Sequence, residues 1–277
     1  QNLWKVYLGL TIICAGAYYV AGMSLFDAIA HSFSTIAIGG FSTHSQSIAY
    51  FNSMKIEIVC MIFMFLSALN FILHFHSLKS RSLKIYFKDV EFRLYLLLII
   101  SSSILLLIYS SLMYGNQISS MSILFQVVSF ITTSGFISTS YETWPVSIIS
   151  VLIFLSFLGA CAGSTGGGIK IIRVLFIIKE LKRGLIKIIH PTAEVPIKIN
   201  DHAISENVSI NILLFFIFYL ISYVFLSLAL LFTGLDATTA FSSIAACLNN
   251  LGPGAGSVID NYSSVNTISK YILSFTM

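Results

Sequence analysis

Apolar residues along this chain fall into long runs that are separated by short polar stretches. Five runs are strongly apolar, at 3–22, 52–78, 92–114, 145–180 and 208–233, and a sixth begins near 267. A helix needs about 20 predominantly apolar residues to cross the hydrocarbon core of a bilayer, which is roughly 30 Å thick. Because each of the five runs is long enough, the pattern predicts a bundle of transmembrane helices.

Three shorter apolar segments lie between alternate pairs of these runs, at 24–36, 119–131 and 236–248. They are too short to cross the membrane as helices, so they predict half-membrane helices that enter and leave on the same side. Each leads into a glycine-containing stretch and a polar loop: AIGGFSTHS from Ala37, TTSGFISTS from Thr132 and NNLGPGAGS from Asn249. The order span, half-helix, glycine stretch, span therefore occurs three times, which predicts repeated units around a central axis.

The charges give this bundle an orientation. Only 9% of residues are charged while 57% are hydrophobic, whereas about a quarter of a soluble domain is charged. The loops after the glycine stretches, 41–51, 136–144 and 254–266, contain no Lys or Arg and should be external. The loops that should face the cytoplasm hold two groups of cations: Lys79, Arg81, Lys84, Lys88 and Arg93, then Lys179, Lys182, Arg183, Lys187 and Lys198. The half-helices would thus enter from outside and end near mid-membrane.

Glycine-bearing backbone at mid-membrane depth suits a cation filter. Buried carbonyl groups need partners there, and rings of carbonyls can replace the hydration shell of K⁺. A single glycine loop is as well explained by a tight turn, but three such loops in one register favour a filter. The filter glycines would be Gly40, Gly135 and Gly252.

Other functional classes find less support in the residues. The four cysteines lack CxxC spacing and neighbouring histidines, which argues against disulfide and zinc sites. No paired catalytic groups lie within the spans, so we expect no enzyme, and the basic residues need no nucleic-acid partner to explain them. The segment around Gly163–Lys170 departs from the phosphate-binding loop pattern at Ile169 and Ile171.

Four segments resemble the bacterial TrkH/TrkG potassium-uptake proteins, and the likeness covers nearly the whole chain. They are HSFSTIAIGGFSTHSQSIAYF (His31–Phe51), SFITTSGFISTSYETWP (Ser129–Pro145), GACAGSTGGGIKIIR (Gly159–Arg173) and SSIAACLNNLGPGAG (Ser242–Gly256). Members of the wider superfamily, which includes KtrB, fold four joined M1–P–M2 repeats around one pore, each a helix, a re-entrant pore helix with filter loop, and a helix. The resemblance implies an all-α membrane protein.

About three of the four repeats would be present. Residues 1–80 would form the second repeat, 81–190 the third with a broken M2 helix, and 191–277 the fourth with a truncated M2. Since the chain begins at Gln1 and ends within an apolar run, we expect a fragment of a longer protein.

The resemblance also implies which residues hold the ion. The family's coordinating carbonyls fall on three pairs of residues: Ala37 and Ile38, Thr132 and Thr133, and Asn249 and Asn250. The filter continues through the two residues after each pair. In full the predicted filter comprises Ala37, Ile38, Gly39 and Gly40; Thr132, Thr133, Ser134 and Gly135; and Asn249, Asn250, Leu251 and Gly252. The bound ion would be K⁺, with no organic cofactor.

Glycines also interrupt the 145–180 run. Four glycines in six residues will not hold a regular helix, since each costs about 1 kcal/mol relative to alanine. By resemblance, residues 159–170 are an intramembrane loop that obstructs the pore until a partner acts, with gate residues Gly163, Ser164, Thr165, Gly166, Gly167, Gly168 and Lys170. A kink that only eases packing stays open as an alternative, and Lys170 either faces the pore or extends to the cytoplasmic interface.

Weaker signals lie outside the filter. Asp236 reads as an N-cap of the third half-helix, and His31 and His44 as satisfied or interfacial histidines. Asp27, Glu142 and Asp260 either concentrate cations at the external mouth or are simply solvated.

The predicted function is potassium transport across the bacterial inner membrane by a multi-pass protein surrounded by lipid. The resemblance implies a homodimer regulated by a cytosolic, TrkA-like nucleotide-binding ring. The alternative is a secondary K⁺ symporter coupled to H⁺ or Na⁺, which would need mid-membrane carboxylates and inverted repeats. Glu57 and Glu180 lie near the ends of spans instead.

Overall fold

The computed structural model describes residues 2–115, 117–200, 202–259 and 261–277, and nearly all of the regular secondary structure in this part of the chain is helical. Its helices are α1 Asn2–Ala21, α2 Leu25–Ile36, α3 Met54–Ser67, α4 Phe71–Ser80, α5 Lys84–Lys88, α6 Val90–Tyr114, α7 Ser120–Thr132, α8 Val146–Leu158, α9 Ile171–Ile189, α10 Glu206–Leu231, α11 Ala237–Leu248 and α12 Thr267–Thr276. Two short strands, β1 Lys198–Ile199 and β2 His202–Ala203, pair antiparallel after α9.

Three helices in the described residues are long and apolar enough to cross a membrane, namely α1, α6 and α10. The pair α3 and α4 would make a fourth span if it were counted as one. Large apolar side chains point outward from these helices, including Val20 (86% exposed) in α1 and Phe225 (70% exposed) in α10. Such exposure suits hydrocarbon rather than water.

The half-helices form where the sequence predicts them. Helices α2, α7 and α11 have 12 or 13 residues each and match the predicted segments to within a residue at either end. The N-cap prediction is confirmed, because a carboxylate oxygen of Asp236 accepts the N–H of Thr239 at 3.0 Å. At α2 the hydroxyl of Ser24 accepts the N–H of Asp27 in the same way, at 3.1 Å.

The helices pack in three sets that follow chain order. Helices α1, α2 and α3 contact one another, α7 packs between α6 and α8, and α10, α11 and α12 contact one another. Each set is centred on its own apolar cluster. Because α7 also contacts α3, and α11 contacts α8, the half-helices are brought towards a common centre. The repeat boundaries at 80 and 190 stay predictions.

The structure corrects two expectations. The run 52–78 is not one continuous span, because the chain bends by 94° between α3 and α4. Asn70 stabilises this bend, since its side-chain oxygen accepts the N–H of Ile72 at 2.9 Å and so caps α4.

The second correction concerns the basic group from Lys179 to Lys187, which belongs to helix α9 rather than to a loop. Ile171 and Phe176 are buried near the start of α9, whereas Ile178 (54%), Leu181 (65%) and Leu185 (63%) are exposed, so only the first part of this helix packs its apolar side chains against the described chain. The predicted break in the 145–180 run is present, as α8 ends at Leu158 and α9 begins at Ile171.

Candidate functional site

All three half-helices end in the same backbone motif. The first or second residue past each helix is left-handed, and the N–H after it donates to a carbonyl five residues earlier, which is the Schellman arrangement. The left-handed residues are Ile38 (φ 54°), Thr133 (φ 62°) and Asn250 (φ 55°). The closing hydrogen bonds are Gly39 to Ser34 at 2.8 Å, Ser134 to Ser129 at 2.9 Å and Leu251 to Ala246 at 2.7 Å. Three segments far apart in sequence therefore share one geometry.

The motif holds side chains that ordinarily avoid it. Glycine usually occupies the left-handed position because a side chain there is strained, and a β-branched residue is a genuine outlier. Ile38 and Thr133 are β-branched, and both are buried. Strained backbone of this kind persists where the surrounding structure holds it, and it concentrates at functional sites.

The predicted filter stretches lie directly against one another. The glycine at the fourth position of each is also left-handed, with φ of 68° at Gly40, 76° at Gly135 and 96° at Gly252. A Cβ atom on Gly40 would collide with the carbonyl oxygen of Ser134, and one on Gly135 with that of Leu251. The first stretch thus contacts the second, and the second contacts the third, although about 100 residues separate each pair.

The third stretch has a free side. Apart from its chain neighbours, no heavy atom of the described residues lies within 4 Å of the position that a Cβ on Gly252 would occupy, so the carbonyl contact seen at Gly40 and Gly135 is missing there. Among the described residues, the row of three stretches therefore does not close into a ring.

The glycine-rich loop 159–170 packs against the ends of all three half-helices. The N–H of Gly167 donates to the hydroxyl of Thr133 at 2.6 Å, and the hydroxyl of Thr165 donates to the carbonyl of Ile36 at 2.9 Å. A Cβ on Gly167 would collide with the carbonyl oxygen of Asn249. The loop fits this closely because its central residues lack side chains.

A buried glutamate that the sequence analysis did not single out anchors both ends of this loop. One carboxylate oxygen of Glu91, at the start of α6, accepts the N–H of Ala162 at 2.7 Å and that of Ile172 at 3.0 Å. The residue is only 4% exposed. Glu91 lies directly before the apolar run 92–114, where an acid is typical of the end of a span. An acid in the first turn of an otherwise apolar span is nevertheless the signal in the sequence that could have identified this residue.

Further hydrogen bonds hold other residues of the loop. The bend between α3 and α4 contributes two hydrogen bonds, from Cys161 N–H to the carbonyl of Ala68 at 3.0 Å and from Phe71 N–H to the carbonyl of Gly163 at 3.1 Å. The ammonium of Lys170 donates to the carbonyl of Gly166 within the same loop. Lys170 therefore folds back onto the loop instead of extending to the cytoplasmic interface.

The side chain of Asn249 joins three helices below the third stretch. Its amide nitrogen donates to the hydroxyl of Ser156 in α8 at 2.9 Å, and its oxygen accepts the hydroxyl of Tyr219 in α10. All of these groups are buried. The sequence analysis gave Asn249 only a carbonyl role, because nothing in the sequence pairs it with Ser156 or Tyr219.

Replacing Tyr219 by phenylalanine tests this junction. The change keeps the ring but leaves the Asn249 oxygen without its donor, and a buried unsatisfied group costs about 1–3 kcal/mol. We expect a lower thermal unfolding temperature of the purified protein in detergent. The matched control is Tyr271→Phe, since Tyr271 is 74% exposed; an equal loss in both variants would contradict the role of the junction.

Polar groups at the predicted external end are largely satisfied. Asp27 accepts hydrogen bonds from the hydroxyls of Ser24 (2.7 Å) and Thr43 (2.6 Å). His31 is buried between the carbonyl of Asp27 and the hydroxyl of Ser42, as expected of a satisfied histidine. Glu142 is exposed, and Asp260 lies outside the described residues.

The carboxylate of Asp236, at the start of α11, is stabilised in its charged form. Hydrogen bonds from the hydroxyl and backbone N–H of Thr239 hold the pKa of Asp236 below its usual value.

Within the described residues, no group of three or more His, Cys, Asp or Glu side chains could hold a metal ion. The oxygens that converge in this region are carbonyls and hydroxyls, which suit an alkali cation.

Comparison with known proteins agrees with this architecture. The chain is 45% identical to the Trk system potassium uptake protein TrkH of Escherichia coli K12 and 36% identical to TrkG of the same strain, and each match covers at least 99% of the chain. The crystal structure of the potassium transporter TrkH from Vibrio parahaemolyticus superimposes with a TM-score of 0.89 at 44% identity, covering 99% of this chain and 60% of that one. The predicted helical membrane fold is thereby confirmed.

These relatives are longer than the chain, which spans 57% of E. coli TrkH and 58% of TrkG. A family model described as TrkH, cation transport protein, matches residues 1–277. The chain belongs to the TrkH family of cation transport proteins.

Proposed function

We propose that the protein moves potassium ions across the bacterial inner membrane through a pore whose filter includes residues 37–40, 132–135 and 249–252. One observation carries the proposal: three half-helices end in the same strained motif, and the stretches after them lie in mutual contact. The names of the relatives support potassium as the ion, since they are potassium uptake proteins or a potassium transporter.

Elementary electrostatics explains why this geometry would favour a cation. The C-terminal end of a helix carries a partial negative charge of about half an electron, and three such ends converge here. Carbonyl oxygens beyond them would replace the water around K⁺. Tight packing of the glycines would keep these oxygens in place, because no filter stretch can shift without moving the stretch that it contacts.

The loop 159–170 acts as the gate in this proposal. It touches the end of each half-helix, so an ion leaving the filter on the cytoplasmic side would meet it. Opening requires the loop to leave Glu91, Thr133 and the carbonyl of Ile36. The family resemblance implies that a cytosolic nucleotide-binding ring regulates this movement, and it separately implies that the membrane protein is a homodimer.

A coupled K⁺ symporter is the second candidate, and one observation favours it. Glu91 is a buried carboxylate beside the loop, which is the kind of group that proton-coupled transporters use. The two functions differ in their energetics. A channel passes ions down their own gradient at a rate that an imposed proton gradient changes only through the membrane voltage.

Flux through the full-length protein in proteoliposomes tests both. We expect uptake of radioactive Rb⁺ that external K⁺ inhibits strongly and Na⁺ weakly. With the voltage clamped by an ionophore, a pH or Na⁺ gradient alone should drive no accumulation. Equal inhibition by the two cations would remove the potassium filter, while uphill accumulation driven by either gradient would establish the symporter instead.

A further inference from the structure

A polar cavity lies away from the filter, at the predicted cytoplasmic side. Its volume is about 530 Å³, and it opens between α4, the α5–α6 junction, α9 and strand β1. Four cationic side chains line it together with a single acid and apolar walls: Lys88, Arg93, Lys179 and Lys198; Asp89; and Leu73, Ile85 and Val90. We call this the basic cavity.

The acid does not pair with the cations. One oxygen of Asp89 caps α6 by accepting the N–H of Phe92 at 2.8 Å, and the other accepts the side-chain amide of Asn200 at 2.7 Å. No ion pair joins Asp89 to a lysine or arginine in the described part of the chain. With four cations against one carboxylate, the cavity retains an excess of positive charge that an anion would offset.

The surroundings of the basic cavity are those of a membrane interface. Helix α5 places exposed apolar residues beside cations, with Phe87 61% exposed next to Lys88 and Leu83 72% exposed next to Lys84. A short amphipathic helix of this kind lies at the boundary between headgroups and acyl chains. The cavity mouth would therefore be level with the headgroups of the cytoplasmic leaflet, where anionic lipids attract clustered Lys and Arg.

We propose that the basic cavity binds the phosphate-bearing headgroup of an anionic phospholipid from the cytoplasmic leaflet. Arg93 and Lys88 supply charge from the α5–α6 side, Lys179 from α9 and Lys198 from β1. The acyl chains extend from the mouth along Leu83 and Phe87. This headgroup bridges α6 and α9, which Glu91 already joins, because its carboxylate accepts the N–H of Ile172 in the first turn of α9.

Native mass spectrometry of the full-length protein tests the assignment, with phosphatidylglycerol and phosphatidylethanolamine as probes. We expect preferential retention of phosphatidylglycerol. In the variant Lys88→Gln/Arg93→Gln, retention of phosphatidylglycerol should fall about 25-fold, because each cationic side chain near an anionic surface contributes roughly a factor of five to the affinity. The matched control is Lys79→Gln/Arg81→Gln, which removes two neighbouring cations that do not line the cavity and should retain the lipid.

Each alternative gives a different result. Equal retention of phosphatidylglycerol by the two double variants would overturn the site. Displacement of the lipid by millimolar inorganic phosphate would assign the cavity to a soluble phosphate-bearing ligand, and unchanged lipid retention with lost capture of the nucleotide-binding ring would make it a protein-docking surface. Native mass spectrometry does not measure ion flux, so its result tests the lipid site independently of the proposed filter and gate.

Discussion

Replacing Gly135 by alanine is expected to lower K⁺ uptake at least tenfold and to weaken the preference for K⁺ over Na⁺. The new Cβ would collide with the carbonyl oxygen of Leu251 and would lie 2.8 Å from Cδ of Pro253. Since neither partner is a flexible side chain, the third stretch must move. The variant therefore changes the position of an oxygen that the proposed filter uses, which alters the spacing on which selectivity depends.

A second glycine variant separates this collision from backbone strain. Gly234→Ala introduces strain outside the filter (φ 92°), and among the described residues its Cβ would meet no atom within 4 Å. An alanine in left-handed backbone costs about 1–2 kcal/mol, so Gly234→Ala should lose stability but retain discrimination between K⁺ and Na⁺.

Uptake of radioactive Rb⁺ by cells that lack their own K⁺ uptake, with competing K⁺ or Na⁺, measures the effect. Serine at Gly40 and at Gly135 should act as alanine does, because both positions face a neighbouring carbonyl. If discrimination between K⁺ and Na⁺ is unchanged in both serine variants while the protein still folds, the filter assignment is wrong.

The half-helices and the break before α9 could be predicted because local rules decide them. Segment length separates α2, α7 and α11 from the spans, and Asp236 and Ser24 cap their helices through bonds within four residues. The glycines of the loop forbid a regular helix whatever surrounds them. Nothing distant in sequence is needed for these features.

The contacts that hold the site together are distant in sequence, and the sequence alone did not reveal them. Glu91 reaches residues 71 and 81 positions away, and the amide of Asn249 reaches Ser156 across 93 positions. The bend after α3 also depends on a distant partner, because Phe71 donates to the loop carbonyl of Gly163. Run length alone predicted a straight span there, since nothing in 52–78 except Asn70 marks an end.

Removing the Glu91 carboxylate is expected to open the proposed gate without its regulator. In Glu91→Leu, the N–H groups of Ala162 and Ile172 lose their shared acceptor in a buried site. Each unsatisfied group costs about 1–3 kcal/mol, and the cost falls on the closed position of the loop. Two such groups cost at least about 2 kcal/mol together, and a shift of about 2–3 kcal/mol raises the open fraction roughly 30- to 150-fold, so Rb⁺ flux in the absence of the nucleotide-binding ring should rise by that factor.

Two further variants make this result specific. Glu91→Gln keeps an oxygen that can accept both hydrogen bonds, so its flux without the ring should stay close to that of the unmodified protein. Glu57→Gln changes an acid in the first turn of α3, away from the loop, and should have no effect on gating.

If Glu91→Leu folds, as judged by its thermal unfolding, yet shows no increase in flux, the carboxylate does not hold the loop closed. A loss of flux in Glu91→Gln together with a loss of its dependence on pH would instead assign the carboxylate to proton coupling. If Glu91 anchors the loop, flux rises above that of the unmodified protein only when the hydrogen-bond acceptor is removed, as in Glu91→Leu. If Glu91 couples transport to protons, flux falls below that of the unmodified protein when the ionisable group is removed, as in Glu91→Gln.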